Sequence, residues 1–403
     1  MSTDVVFINS SGDTFTPTHS GSLGPWVWEV CRAAQAADGV CPLVISKDNG
    51  CEPFPWSRTT LMPWPVTRRT GPVARLARRV HRKVTGWGVA GLSTFARRVG
   101  DAIEAAGAGD ATLFLQNDPE LTVYLRRRFP AAFIVCHFQN EHVARPPFRR
   151  AVGLSANVVT ACSGFTARRI ERIYGLAGRG GVVPLHSGVD AARCAPAPAA
   201  PGEVPVINYT GRLGPDKAPD LLLRAARRVA RHTASFKLQL VGVAIADGQN
   251  DPYTGEVRHL IGGLRAAGVE VRIPGLVDRW HIASEYQRAH VHVMPSRWDE
   301  PFGLVTLEGM ACGLATVAAR TGGTPEVVGD AALGFDRDDE GALAEHLRRL
   351  VTDAAFRRAR QEAARDRALE FPWAKTWGEI RRLRDRFAPA DVRPVGRPAA
   401  SVH

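Results

Sequence analysis

VINYTGRLGPDKAPDLLLRAARRVARHTASFKLQLVG, residues 206–242, is the stretch whose reading decides the architecture. An apolar run (VINYTG, 206–211) leads into an amphipathic stretch over 217–232, and a second apolar run (KLQLVG, 237–242) follows. Short runs rich in β-branched residues fit buried strands, while the longer segment repeats its leucines and alanines at helical spacing. Two strands joined through a helix are expected to lie parallel, in a sheet covered by helices on its faces.

The same alternation continues in both directions. Toward the C-terminus come VEVRIPG (269–275), HVHVMPS (290–296) and TVAAR (316–320). Toward the N-terminus lie VVFIN (5–9), PLVIS (42–46), TLFLQ (112–116), FIVCHF (133–138) and NVVTACS (157–163), with helical stretches at 25–38, 88–106 and 118–128. A chain of 403 residues exceeds one comfortable core. The Pro- and Ala-rich CAPAPAAPGEVP (194–205) is the place to divide it. The predicted fold class is α/β, with two Rossmann-like doubly wound parallel-sheet domains facing across a cleft. One domain is expected over 1–193 and one over 204–372. A last helix over 373–388 is expected to fold back onto the first domain, and 389–403 to form a disordered tail.

Composition narrows the class further. Hydrophobic residues make up 45% of the chain and charged residues 23%, which is ordinary for a soluble globular protein. No apolar run is long enough to span a bilayer, and MSTDVVFINSSGD lacks the features of a signal peptide. Seven scattered cysteines without a C-x-x-C pair suggest reduced thiols and a cytoplasmic location. The net charge of +12 is concentrated: between Pro53 and Gly100 there are ten basic residues and no acidic one.

In open α/β sheets ligands bind beyond the carboxyl ends of strands, and the chemistry-bearing residues fall there. SRWDEPFGLVTLEGMACGLATVAARTGGTPEVV (296–328) places Glu300 in a loop after a strand, then begins a helix near Phe302 and Gly303. A helix N-terminus offers unpaired amides and a positive dipole end to a diphosphate or to sugar hydroxyls. Gly303 permits close backbone approach, and Glu308, within two turns, is placed to accept from a ribose diol. Thr321-Gly322-Gly323 forms a second close-approach loop. In YTGRLGPDK (209–217), Arg212 and Lys217 follow a strand end and suit two phosphate charges.

Together these segments resemble glycosyltransferase family four, the retaining group with the GT-B fold. The resemblance covers about 181–375 closely and the first domain more thinly. Glu300 and Glu308 match the family's E-x7-E motif, and GRL…K matches its phosphate loop. What the resemblance implies is a nucleoside-diphosphate-sugar donor, UDP-linked as the first expectation. Arg212 and Lys217 would hold its diphosphate, Glu308 its ribose and Glu300 its sugar, with amides of Phe302, Gly303 and Leu304 on sugar or phosphate oxygens. In the first domain Gly21 and Gly24 resemble the family's Gly-rich loop. His137 stands where the family often has a histidine facing the sugar; a core histidine is the competing reading. TACSGFTARRI resembles a strand-Ser-helix element in which Ser163 caps the helix. The family's Asn-Gly-Val-Asp is here His186 to Asp190, and its Lys-Gly is Lys217-Ala218.

The resemblance implies transfer to a small-molecule, glycan or lipid hydroxyl, with front-face attack in a tight ion pair. A GT-B epimerase or phosphorylase, or a non-catalytic sugar-nucleotide-binding subunit, stands as the alternative. No cofactor and no metal is expected: Asp336 and Asp338 form an Asp-x-Asp that reads as helix capping. The basic stretch 68–100 fits an amphipathic helix on an anionic membrane or near an acidic acceptor, against a plain solvated helix. Nucleic acid is not an expected partner, because no recognition motif is present.

Overall fold

A computed structural model describes residues 5–17, 22–63, 90–141, 144, 146–177, 180–197, 204–243 and 251–388. Gly21, most of the basic stretch (64–89) and the tail 389–403 lie outside the described residues. The chain forms two compact units: residues to Ala161 with 167–185 and the chain from Ala374, and Cys162–Thr166 with His186–Trp373.

The first unit contains the strands β1 (Val5–Ile8), β2 (Leu43–Asp48), β3 (Thr59–Pro63), β4 (Thr112–Gln116), β5 (Phe133–Phe138), β6 (Val158–Ala161) and β7 (Val183–Pro184). They pair in parallel, in the order β3-β2-β1-β4-β5-β6-β7. The direction of sheet growth reverses between β1 and β4, which makes that junction the switch point. The helices α1 (Leu23–Asp38), α2 (Ala90–Ala105), α3 (Pro119–Arg128), α4 (Pro146–Ser155) and α5 (Gly164–Tyr174) follow strands as expected. Helix α3 starts by rule. Pro119 occupies its first turn, and the Asp118 carboxylate accepts from Leu121 N at 3.2 Å.

The second unit repeats the plan with β8 (Val206–Thr210), β9 (Lys237–Val241), β10 (Glu270–Gly275), β11 (Val291–Met294), β12 (Ala315–Ala319) and β13 (Leu333–Phe335). Its order is β10-β9-β8-β11-β12-β13, again parallel, with the switch point between β8 and β11. Helices α6 (Pro219–Ala230), α7 (Pro252–Ala266) and α11 (Glu340–Thr352) share an apolar cluster that includes Ile207, Leu240, Val293 and Val317. Helices α8 (Ile282–Tyr286), α9 (Leu304–Ala311), α10 (Thr324–Val328) and α12 (Ala354–Leu369) contribute to a second cluster with Met294 and Ala318. Alternate residues of one strand thus enter different cores, which is why both faces are covered.

Two features of the division come from long-range contacts. The Pro- and Ala-rich stretch suggested a break at 194–205, whereas the units part at Leu185/His186. The Arg365 guanidinium on α12 donates to Ala191 O (3.2 Å) and Cys194 O (2.8 Å), fastening that segment to the second unit. The last helix, α13 (Trp373–Phe387), joins the first unit from Ala374 on. There Trp377 Nε1 and Arg381 donate to the Asp38 carboxylate at 2.5 and 2.7 Å. All seven cysteines are free thiols. Among the described residues, no helix is long and apolar enough to cross a membrane.

Candidate functional site

The two segments that carry Arg212, Lys217 and Glu300 leave the adjacent strands β8 and β11 at the switch point of the second unit. Lys217 Nζ lies 2.6 Å from Glu300 Oε1, with the two side chains 15% and 7% exposed. The ammonium also sits 4.4 Å from the ring centroid of Trp298. That ring is 42% exposed, and it turns the negative face of its π-system to the charge. The Arg212 guanidinium is 73% exposed and paired with Asp216 at 3.1 Å. A cation that open is available to a ligand at small cost, since exposed pairs contribute little.

Glu308 is different. It is 2% exposed on α9 and one oxygen is bound by Arg279 of the loop after β10. The other, Oε2, is buried and has no hydrogen-bond partner among the described residues. A buried carboxylate oxygen left unpaired costs free energy unless a donor arrives, and a ribose hydroxyl is such a donor.

The helix starts differ: α1, α8 and α10 begin on residues in the right-handed region (Ser22, His281 and Gly323) without a side-chain cap. Helices α3, α7, α11 and α12 each begin on an aspartate whose carboxylate accepts a backbone N–H: Asp118, Asp251, Asp339 and Asp353. Helices α6 and α9 begin instead on residues in the left-handed region, Ala218 (φ 54°) and Gly303 (φ 102°), with no side-chain cap. Phe302 is buried and Gly303 supplies the turn. The first amides of α9, from Leu304, have no partner within the helix. That leaves an open N-terminus immediately after the Glu300 loop.

Gly322 and Gly323 act on the protein itself. At Gly322 (φ 58°) a Cβ would stand 2.2 Å from Glu300 O and 2.5 Å from Glu300 N, and Gly323 N donates to Glu300 O at 2.6 Å. This second glycine loop is the seat of the Glu300 backbone. Ser163 caps as expected, accepting from Thr166 N at 3.0 Å, and its hydroxyl also donates to Pro301 O at 2.5 Å. Neither aspartate of the Asp-x-Asp caps a helix. Asp336 pairs with Arg320 and Asp338 with Arg297, and the cap of α11 is Asp339, accepting from Ala342 N at 2.8 Å.

In the first unit, Gly24 lies within α1, which starts at Leu23 rather than at Pro25. His137 is fully buried. Its Nδ1 shares a 2.9 Å hydrogen bond with Thr160 Oγ1, its ring stacks on Trp26 at 5.1 Å, and burial holds its pKa down at about 3. The imidazole is therefore neutral at physiological pH. Strand register places it in a row with its paired residues Gln116 and Thr160, and the row extends through Asn9 to Ser46, all buried. Asn9 donates to Ser46 Oγ at 3.3 Å, while Asn9 Oδ1, Gln116 Nε2 and His137 Nε2 have no partner among the described residues. A polar row across the switch point of an otherwise apolar sheet was not visible in the sequence. Its only signal is a single polar residue at or near the end of each apolar run.

The chain is similar to known proteins. Residues 195–367 fit the model of the family described as glycosyl transferases group 1. Relatives include D-inositol 3-phosphate glycosyltransferase 2 of Catenulispora acidiphila, 35% identical over 52% of this chain and 51% of the relative. A D-inositol 3-phosphate glycosyltransferase of Kineococcus radiotolerans is 33% identical over 52% of each. The chain thus spans about half the length of the curated relatives it matches. Solved structures extend the likeness across the chain. A glycosyltransferase from Rickettsia africae has a TM-score of 0.70 at 18% identity, covering 96% of this chain and 99% of its own. Sucrose-phosphate synthase from Thermosynechococcus elongatus has a TM-score of 0.69 at 20% identity, covering 95% and 98%. At these identities the likeness shows the fold: two parallel-sheet domains of the glycosyltransferase type, as the sequence motifs implied.

Proposed function

We propose that the protein transfers a sugar from a nucleoside-diphosphate-sugar donor to a hydroxyl acceptor, with retention and without a metal ion. The observation that carries this reading is the grouping at one switch point of Lys217 against Glu300, an exposed Arg212, the uncapped α9 N-terminus and the unpaired Oε2 of Glu308. A diphosphate satisfies the two cations and the free amides, and a ribose hydroxyl satisfies Glu308. Lys217 and Arg212 would stabilise the charge that grows on the leaving phosphate, and would do so without a divalent ion. Glu300, held by Lys217, would orient the donor sugar. UDP is the first candidate nucleotide; it occupies a structural neighbour, Anabaena HepE, solved with UDP and glucose.

The acceptor side rests on the first unit. A hydroxyl both donates and accepts, so hydroxyls suit both the unpaired Asn9 Oδ1 and the unpaired Gln116 Nε2. This favours an acceptor rich in hydroxyls. The neutral His137 belongs to the same row and would contribute through Nε2 as a hydrogen-bonding group.

The test is a panel of UDP-, GDP-, ADP- and dTDP-glucose, each with and without EDTA. One of them should raise the unfolding temperature and release its nucleotide slowly with EDTA present. A ligand at a hundred times its Kd adds about 2.7 kcal/mol, which a thermal shift resolves. The anomer of the released glucose, followed by NMR, reports retention. No stabilisation by any member would move the protein to a non-catalytic role, and release that EDTA abolishes would remove the metal-free mechanism.

A further inference from the structure

Lys217 and Glu300 come from loops that leave different strands, and a 2.6 Å contact requires those loops to be fixed against each other. Arg297 does this. Its guanidinium grips the Asp220 carboxylate with both terminal nitrogens, Nη1 to Oδ1 at 2.9 Å and Nη2 to Oδ2 at 2.7 Å. Nη1 also donates to Pro215 O at 3.1 Å, and Nε donates to Asp338 Oδ1 at 2.5 Å. The main chain adds to this: Arg297 N and Trp298 N both donate to Asp216 O, at 2.9 and 3.1 Å, and Ser296 Oγ joins them at 3.2 Å. Pro215, Asp216 and Asp220 are thus bound to the segment that leads into Glu300, and Lys217 stands between them.

The held segment needs holding. Ala218, directly after Lys217, is fully buried and has a φ of 54°. That region is disfavoured for any residue with a Cβ. Such a turn persists only where its surroundings over-determine it. Asp220 is itself braced by Arg224 at 2.6 Å and by the Tyr253 hydroxyl at 2.6 Å. Burial alone would raise the Asp220 pKa, but the bonds from Arg297 and Tyr253 hold it at about 2. The grip therefore stays ionic throughout the working pH range.

We propose that Arg297 is a positioning residue: it locks the 215–220 loop to the 296–300 loop and thereby sets where Lys217 stands relative to Glu300 and to a bound diphosphate. This rests on the donor-site reading above. A planar fork bound at both ends transmits a fixed distance, which an ammonium on a flexible stem does not. Arg297 acts through Lys217 and touches no substrate.

The experiment is a double-mutant cycle in the full chain, with Arg297→Gln and Arg297→Lys placed in the Lys217 and Lys217→Ala backgrounds. Two readouts are taken: the Kd of whichever of UDP, GDP, ADP and dTDP binds most tightly, and hydrolysis of the matching glucose donor at saturation. With Lys217 present, Arg297→Gln should lower turnover roughly 100-fold, as a misplacement of about 1 Å does, with Arg297→Lys between it and the wild type. In the Lys217→Ala background the same change should cost less than about twofold, because its route is already gone. Equal losses in both backgrounds would overturn the proposal and leave Arg297 a stabilising residue only. Should Arg297→Gln fail to fold, Asp338→Asn removes the charge from the acceptor of the Nε bond, weakening it, and keeps the grip on Asp220. Its expected loss of roughly threefold should likewise vanish without Lys217, and persistence there would overturn the idea. Lys217→Ala alone separates the two levels. If it keeps nucleotide affinity and turnover, the donor-site reading fails; if it loses them while Arg297→Gln does not, only the brace fails.

Discussion

Replacing Gly322 with alanine tests whether the seat of Glu300 is as tight as the structure makes it. Gly322 has a φ of 58°. In that region an alanine costs about 1–2 kcal/mol for backbone conformation alone. The new Cβ would also stand 2.2 Å from Glu300 O, 2.5 Å from Glu300 N and 2.6 Å from Asp299 C. All three are backbone atoms, so no side-chain rotation relieves the contact, and the loops must separate by about 1 Å to reach ordinary packing distance. Separation also stretches the bond from Gly323 N to Glu300 O. Its loss costs about another 1 kcal/mol. With about 1–3 kcal/mol for the overpacked contact itself, the sum is about 3–6 kcal/mol. Gly268 is the control: it too has positive φ, 85°, but a Cβ there meets only Ala234 Cβ at 3.8 Å, so backbone conformation is its whole cost. In thermal unfolding, Gly322→Ala should lower Tm by roughly 10 °C and Gly268→Ala by roughly 3 °C, scaled to a unit of this size. Donor hydrolysis should fall roughly 100-fold in the first and stay within about twofold of wild type in the second. Equal Tm shifts with equal turnover would refute the claim that Gly322 exists to admit the Glu300 backbone.

Three further outcomes are expected. The pair of Arg212 with Asp216 is exposed, so Arg212→Ala should leave stability within about 0.5 kcal/mol, yet weaken nucleoside diphosphate binding roughly tenfold by calorimetry. Glu308→Gln unbalances the buried pair with Arg279 and should cost about 2–4 kcal/mol. It should weaken nucleotide binding more than saturated turnover; Glu300→Gln should do the reverse, and matching effects from both would remove the role assignment. His137 and His292 are both fully buried and held at about 3 by burial, against an ordinary value of 6.5. Between those values the unfolded chain binds more protons, so their contribution to stability is whole above the ordinary value. It is lost as pH falls, by up to about 1.4 kcal/mol per pH unit each. Urea midpoints from neutral pH down into the acid range should show that slope, and His137→Gln should reduce it.

The strands and their partition between two sheets were legible because parallel strands buried on both faces are continuous apolar runs. The β8–α6–β9 unit in 206–242 lies within two residues of its predicted bounds. The motif spacing was legible for the same reason: loops after strands sit at the carboxyl edge, so Arg212, Lys217 and Glu300 could be placed there before any coordinates. What sequence reading missed are the partners brought together by the sheet order. Arg279 reaches Glu308 from the loop after β10, on the far side of the sheet order from β12, and Arg297 reaches Asp220 across 77 positions of chain. In the sequence the Asp-x-Asp reads as capping, because aspartates near a helix start usually cap. Here two arginines claim Asp336 and Asp338, and the cap passes to Asp339.

The missing side-chain caps at the β8/β11 switch point have a physical account of their own, although α1, α8 and α10 also lack one. A side-chain cap contributes about 1 kcal/mol, and α3, α7, α11 and α12 all have one. Helices α6 and α9, at the β8/β11 switch point, forgo it. An aspartate cap there would occupy the amides that a diphosphate needs and would set a negative charge against it. In helix α9, residues 306–311 are buried without exception, so packing and not its terminus holds it in place. Helix α6 tolerates the loss because Arg297 binds Asp220 in its first turn from outside. The brace and the missing cap are thus one arrangement: the charge that would ordinarily close the helix from within is supplied one turn later and neutralised by an arginine, leaving the N-terminal end of α6 and its lysine open to an anionic ligand.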